Sequence, residues 1–197
     1  YGNDPVRWYL IKDISLGNDG DFQDRRFVDI INNDLANTIG NLLNRTSSMS
    51  RKWFDNKVPN NEKISSINKL EYLVKTSVNS YINKFNSYKL DQAANEVLSL
   101  AINTNLYLND NQPWLLIKDN DKLPLVKEII YSVLESTRII GLLLMPLLPE
   151  LSSKINVQLG STYKKDVLWV QQLKWGLLIS NSTLPKPSPV INKLEYE

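Results

Sequence analysis

Apolar residues recur along most of this chain at intervals of three and four, the spacing that lays side chains on one face of an α-helix. From Asp24 onward Phe27, Ile31, Leu35, Thr38, Leu42, Met49 and Trp53 keep to one face, and Ile30, Ile39 and Leu43 widen the stripe. That spacing predicts one long helix from Asp24 to Phe54. A polar break at Asn56 to Lys63 precedes a second helix of about Ile64 to Phe85, and Asn86-Ser87 then offers a cap before a third from Lys89 to about Leu108. Ala94, Val97, Leu98 and Ala101 give the third helix a small, closely packing face. Pro113-Trp114 restarts a short turn, Lys122-Leu123-Pro124 opens a fourth long helix, and Pro149 punctuates it before a last helix ending near Leu159-Gly160. Helices in succession with short joints predict an all-α helix bundle.

The two ends read differently from the middle. Asp4 to Leu10 forms a short separate helix and Gly17 to Phe22 a tight turn, so residues 1–23 are expected to be a connecting segment from a preceding part. Residues 24–160 are the bundle, and 161–197 a tail that packs back on it with Trp169 and Trp175 as anchors. Pro185-Lys186-Pro187-Ser188-Pro189 reads as an extended strap. The longest apolar run, Ile139 to Leu148, is interrupted by Pro146, too short to span a bilayer, and is assigned to the core, with no membrane partner.

Composition narrows the chemistry. With 197 residues, 42% of them apolar, the chain can bury a core. A net charge of +2 implies that any nucleic-acid contact is local rather than a broad basic surface. The absence of Cys and His removes thiolate nucleophiles, imidazole bases and the usual zinc ligands, so no catalytic or metal-binding residue is assigned. Asp19, Asp21, Asp24 and Asp29 lack a cation-binding pattern, and Asp21 or Asp24 serves better as a helix N-terminal acid. Opening on Tyr1 without a signal segment, the chain is expected to be a fragment of a cytoplasmic protein.

Candidate function lies in two short segments. Asn33, Asn37, Asn41 and Asn44 run down a flank of the first long helix and line it with amides. One turn beyond Asn41 stands Arg45, and Trp114 follows Pro113 in a polar loop with Lys118 four residues on. Taken singly, each has a plainer reading: a core tryptophan, or an arginine lying along a helix edge. Together an amide, a guanidinium and an indole behind a rigid proline are the parts needed to read and stack one unpaired base, with Lys118 placed to meet a phosphate.

An ordered series of segments resembles the C-terminal part of methionyl-tRNA synthetases. Tyr1 to Arg7 looks like the helix after that family's lysine-rich ATP-site loop, and Asp19-Gly20-Asp21-Phe22 like the entry to its anticodon-binding bundle. Then follow Asn33 to Asn37, Gly40 to Arg45, Asn105-Leu106-Tyr107, Gln112-Pro113-Trp114, Pro146 to Pro149 and Trp175-Gly176. The resemblance departs at Gln23, where the family tends to have a better helix cap, and at Pro187 to Ile191. It implies that Trp114 stacks on the first anticodon base, a cytosine of CAU, while Asn41 and Arg45 bond its polar edge. ATP with Mg and methionine would belong to a catalytic domain outside these residues, since neither ATP-site signature of that class is present. The implied partners are the methionine tRNA and that catalytic domain, and the fragment alone should be inactive. The anticodon-binding bundle of another class I synthetase, or a helical protein-interaction module with Trp114 as hot spot, are the alternatives.

Overall fold

The computed structural model describes residues 1–14, 17, 19–60, 68–161 and 163–196. Among them the order is α1 (Asn3–Asp13), α2 (Asp24–Ile30), a π-helical stretch (Ile31–Gly40), α3 (Asn41–Trp53), α4 (Lys69–Asn86), α5 (Leu90–Asn111), α6 (Pro113–Leu116), α7 (Leu123–Leu144), α8 (Pro149–Gln158) and α9 (Trp169–Gln172). No strand longer than the isolated bridge between Lys57 and Thr183 occurs among the described residues. The all-α expectation therefore holds. Helix α7 is the axis of the bundle: it packs on α3, α4, α5 and α8, and nearly every residue from Ile129 to Leu144 is buried. Its apolar residues fall on every side and its Glu135 and Arg138 pair inside the fold, so it has almost no face to offer water, which is why it sits in the middle. Gly141 lets α8 approach it closely, for a Cβ there would lie 2.9 Å from Cγ2 of Ile155.

The long helix from Asp24 runs without a break to Trp53, but its centre is wound more widely than an α-helix. The amide of Asn41 donates to the carbonyl of Ala36, five residues back, and the Thr38 hydroxyl donates to the carbonyl of Asn33 at 2.7 Å. The apolar residues follow the wider turn. Ile31, Leu35, Ile39 and Leu43 repeat every fourth position and are all fully buried, whereas at 3.6 residues per turn a strict fourfold repeat drifts by about 40° each time. Asn33, Asn37 and Asn41 share that repeat on the exposed side.

Other boundaries shift for local reasons. The expected start of the second helix at Ile64 lies outside the described residues; the described helix α4 begins at Lys69, where the Asn68 side chain accepts from the amides of Leu70 and Glu71. Asn86-Ser87 does not cap the next helix, since the Ser87 hydroxyl donates back to Asn83 and α5 starts at Leu90. Helix α5 also runs to Asn111, beyond the expected end at Leu108. Its asparagines do not stop it: Asn103, Asn105 and Asn111 each donate a side-chain N–H to the carbonyl four residues earlier.

Both ends of the chain are tied to the bundle. In α1, Trp8 and Tyr9 are fully buried, the Trp8 indole donates to Asp34 at 3.0 Å, and the Arg7 guanidinium donates to the carbonyl of Leu147 at 2.8 Å. Asp4 accepts from the amide of Leu151 at 2.7 Å in the first turn of α8. Burial pushes the Asp34 carboxyl above its ordinary value, against the opposing pull of the Trp8 bond and the Lys12 charge. In the tail, the Trp169 indole donates to the carbonyl of Leu142 at 2.9 Å, Trp175 is partly buried against the core, and the strap is held by Gln158 on Ser188 and by buried Val190. Asn32 then pairs with both backbone groups of Leu194, at 2.9 and 2.8 Å.

Candidate nucleic-acid interface

Three local devices bring Arg45 and Trp114 together and set Asn41 beside them on the helix. The π-helical stretch ends at Gly40, so Asn41 and Arg45 occupy the first turns of α3, with Asn41 exposed and Arg45 half-buried. Helix α5 ends where Gln112 takes a left-handed conformation at φ 44 and ψ 53. Pro113, buried at the first position of α6, then restarts the chain in a new direction and carries Trp114 back toward α3.

The result is a contact between elements nearly seventy residues apart. The guanidinium carbon of Arg45 lies 6.0 Å from the centroid of the Trp114 ring, at the outer edge of the cation–π range. Its Nη2 donates to Oδ1 of Asn109 at 2.8 Å. One of the five guanidinium N–H groups is thus used to orient the fork, and the group lies over the indole ring. Asn41 stands one turn before Arg45 on the same helix, so an amide that donates and accepts flanks the fork.

Trp114 is not the fully exposed platform that a polar loop suggests. It is half-buried and packs against the core beside Leu116 and Ile117, because the buried Pro113 pulls the start of α6 inward. That packing fixes the ring plane. Lys118 is exposed, in the turn after α6, and Asp110 is exposed near the end of α5. Tyr107, two residues before Asn109, is pushed up to about 12 by burial and by the charge of Glu128, so it adds no charge near neutral pH. Among the described residues no group of His, Cys, Asp and Glu is arranged to hold a metal ion, and no helix is long and apolar enough to cross a membrane.

Asn109 is the residue that sequence reasoning passed over. Ending the helix at Leu108 leaves Asn109 in a loop, whereas one further turn of α5 presents its side chain to Arg45. The signal was available in the alternating Asn residues of the last turns, each able to bond back to the helix.

Comparison with known proteins gives this geometry a context. The family model for class I tRNA synthetases (M) matches residues 1–47, and that for the anticodon binding domain of methionyl tRNA ligase matches residues 58–194. The methionine–tRNA ligase of Thermosynechococcus vestitus is 37% identical over 98% of this chain, and that of Lactococcus lactis 34% identical over all of it. The free form of methionyl-tRNA synthetase from Mycobacterium tuberculosis superposes with a TM-score of 0.87 at 27% identity, over 98% of this chain and 39% of that one. These matches define a helical anticodon-binding module of the class I aminoacyl-tRNA synthetases. The chain belongs to the methionine–tRNA ligase family. It spans 38% of the Thermosynechococcus relative and 30% of the Lactococcus one.

Proposed function

We propose that this chain is the part of a methionine–tRNA ligase that reads the CAU anticodon of its tRNA, and that it thereby licenses attachment of methionine by a catalytic domain outside these residues. The observation that carries the reading is the convergence of Arg45, Asn109 and Trp114 from α3, α5 and α6. A ring held in place by Pro113 and the core is a preformed surface for a base, and preorganisation spares the entropy of ordering it on binding. Trp114 stacks on the first anticodon base. Arg45, aimed by Asn109, and Asn41 bond the polar edge of that base; a base with the wrong donor and acceptor pattern leaves their polar groups unpaired. Lys118 meets a phosphate and adds affinity without selectivity.

ATP with Mg and methionine act in the catalytic domain; the Mycobacterium relative has been described bound by methionyl-adenylate. Residues 1–23 connect to that domain, residues 24–160 form the anticodon-binding bundle and 161–197 the returning tail, a division supported by the anchoring of α1 and of the strap. The setting is the cytoplasm, where charging of tRNA takes place.

Titrating the chain with a CAU anticodon stem-loop, read by tryptophan fluorescence and by anisotropy of a labelled loop, tests the reading. Saturable quenching that disappears in Trp114→Phe is expected. Lys118→Ala should weaken matched and mismatched loops alike and reduce the slope of log K against log salt by about one. A Lys118 effect confined to one anticodon would place that side chain on a base instead. Binding of no stem-loop would favour the protein-interaction reading of Trp114.

A further inference from the structure

The tail does not close completely over α7. Between the end of α8 and residues 164–182 it leaves a cavity of ≈ 560 Å³, the size of a small-molecule pocket, with Arg138 in its lining. We propose that this cavity binds a small amphiphilic anion, an oxyanion head carried on a short apolar body. The head lies at Lys164, Lys174 and Arg138, and the body against Val167, Leu177 and Ile179. The inference is independent of the anticodon reading, since none of these residues belongs to the Asn41, Arg45 and Trp114 site.

Three observations carry it. The first is an unmet donor in a buried place. The Arg138 side chain is 4% exposed, and four of its five N–H groups are used: Nε and Nη2 donate to Glu135, Nη2 also to the carbonyl of Lys174, and Nη1 to that of Gln172. The second N–H of Nη1 meets no acceptor among the described residues, and a buried donor left so costs free energy that an oxyanion in the cavity removes. The second observation is charge. Glu135 neutralises Arg138, but Lys164 and Lys174 line the same cavity, and neither has an ion-pair partner among the described residues. Asp166, exposed in the same segment, does not line it. Two ammonium groups around one buried donor favour an anion that accepts from all three. The third is apolar surface that the fold leaves bare: Ile179 is 71% exposed and Leu177 50%, although Leu178 between them is buried.

The walls are held in place before anything binds. Gln172 accepts from the amide of Lys164 and donates to the carbonyls of Lys164 and Val167, at 2.9, 2.9 and 2.8 Å, and Glu135 accepts from the amides of Gly176, Leu177 and Leu178. Little backbone ordering is left to oppose binding. A nucleic-acid base fits less well, because the described lining holds no aromatic ring on which it could stack. Since α7, the end of α8 and the tail all contribute, an occupant ties the tail to the bundle, and stability should rise with its concentration.

The test is titration calorimetry of the chain with octyl phosphate, with octanoate, inorganic phosphate and octanol as comparison arms. Octyl phosphate should bind at one saturable site, about tenfold or more tightly than inorganic phosphate, which lacks the body, or octanol, which lacks the head. Octanoate within about threefold of octyl phosphate would assign a carboxylate head and a larger gap a phosphate, and either supports an amphiphilic anion. Lys174→Ala should weaken octyl phosphate by about two- to fivefold and leave octanol unchanged. Gln171→Trp, which fills the cavity from an exposed position, should abolish binding of both. Unfolding curves matching the wild type confirm that the variants fold, and shifts of the Ser161 and Ile179 amide resonances locate the ligand on the wild type without any substitution. No saturable binding of octyl phosphate, or equal binding in wild type, Lys174→Ala and Gln171→Trp with those resonances unmoved, overturns the proposal. Equal affinity for octyl phosphate and inorganic phosphate would leave a cationic patch with no apolar seat, and overturns it as well.

Discussion

Arg138→Met is expected to lower the free energy of unfolding by about 3–5 kcal/mol. The arginine side chain is 4% exposed and Glu135, one turn earlier on α7, is fully buried; Nε and Nη2 each donate to the carboxylate at 2.7 Å. Glu135 also accepts from the amides of Gly176, Leu177 and Leu178, at 2.7, 3.0 and 3.1 Å, and Arg138 donates to the carbonyls of Gln172 and Lys174, both at 2.8 Å. Gly176 turns the tail through φ 89 to present those amides. Many buried ion pairs can be exchanged for apolar residues at little cost, but this one also satisfies five backbone groups of the tail, which an apolar pair would leave bare. The double variant Glu135→Leu with Arg138→Met should therefore not recover wild-type stability. Urea unfolding of the single and double variants decides it, and a loss below about 1 kcal/mol in the single variant would show that the tail docks without the pair. Tyr131 reports on the same joint. Its hydroxyl donates to Leu178 at 3.0 Å, and burial, with the charge of Glu135 overriding that of Arg138, pushes it up to about 12, so the bond persists across the neutral range.

Trp114→Ala should weaken binding of a CAU stem-loop by about 1–3 kcal/mol, the worth of one base stacked on an aromatic ring. Because the ring is half-buried against the core, the same change should also cost about 1–2 kcal/mol of stability, less than the loss of a fully buried tryptophan. The two losses are separable. Trp114→Phe keeps a ring behind Pro113 and should recover part of the affinity, whereas Trp114→Leu should recover stability but little affinity. Isothermal titration of the three variants, each shown folded by its unfolding curve, distinguishes a stacking surface from a core residue. Equal affinity in all three would make Trp114 structural.

The helical period was legible because α7, α5 and the long first helix bury continuous stripes, and no tertiary contact had to override them. The candidate residues were legible as types: an amide and a guanidinium one turn apart, and an indole behind a proline. Three features were harder to read. The π-helical winding was encoded in the strict fourfold repeat of Ile31, Leu35, Ile39 and Leu43, but a window tuned to 3.6 residues takes the same positions for an ordinary helix. Asn109 was hidden because asparagine counts as a helix breaker, whereas here asparagine side chains close back on their own helix. The buried Glu135 and Arg138 pair looks, three residues apart on a helix, like any surface pair; only the tail folded over α7 makes it internal.

Arg45 carries the central claim, since it lies 6.0 Å from the centroid of the Trp114 ring and is held by Asn109, and its remaining N–H groups are those proposed for the base edge. The direct test is the ratio of affinities for a CAU stem-loop and for one with the first base changed, measured on the wild type and on Arg45→Gln at one salt concentration. The wild type should prefer CAU. Arg45→Gln should lose about 1–3 kcal/mol against the matched loop and little against the mismatched one, collapsing the ratio. An equal loss for both loops, with the ratio preserved, would make Arg45 a phosphate or packing residue and contradict the reading of the anticodon at this site.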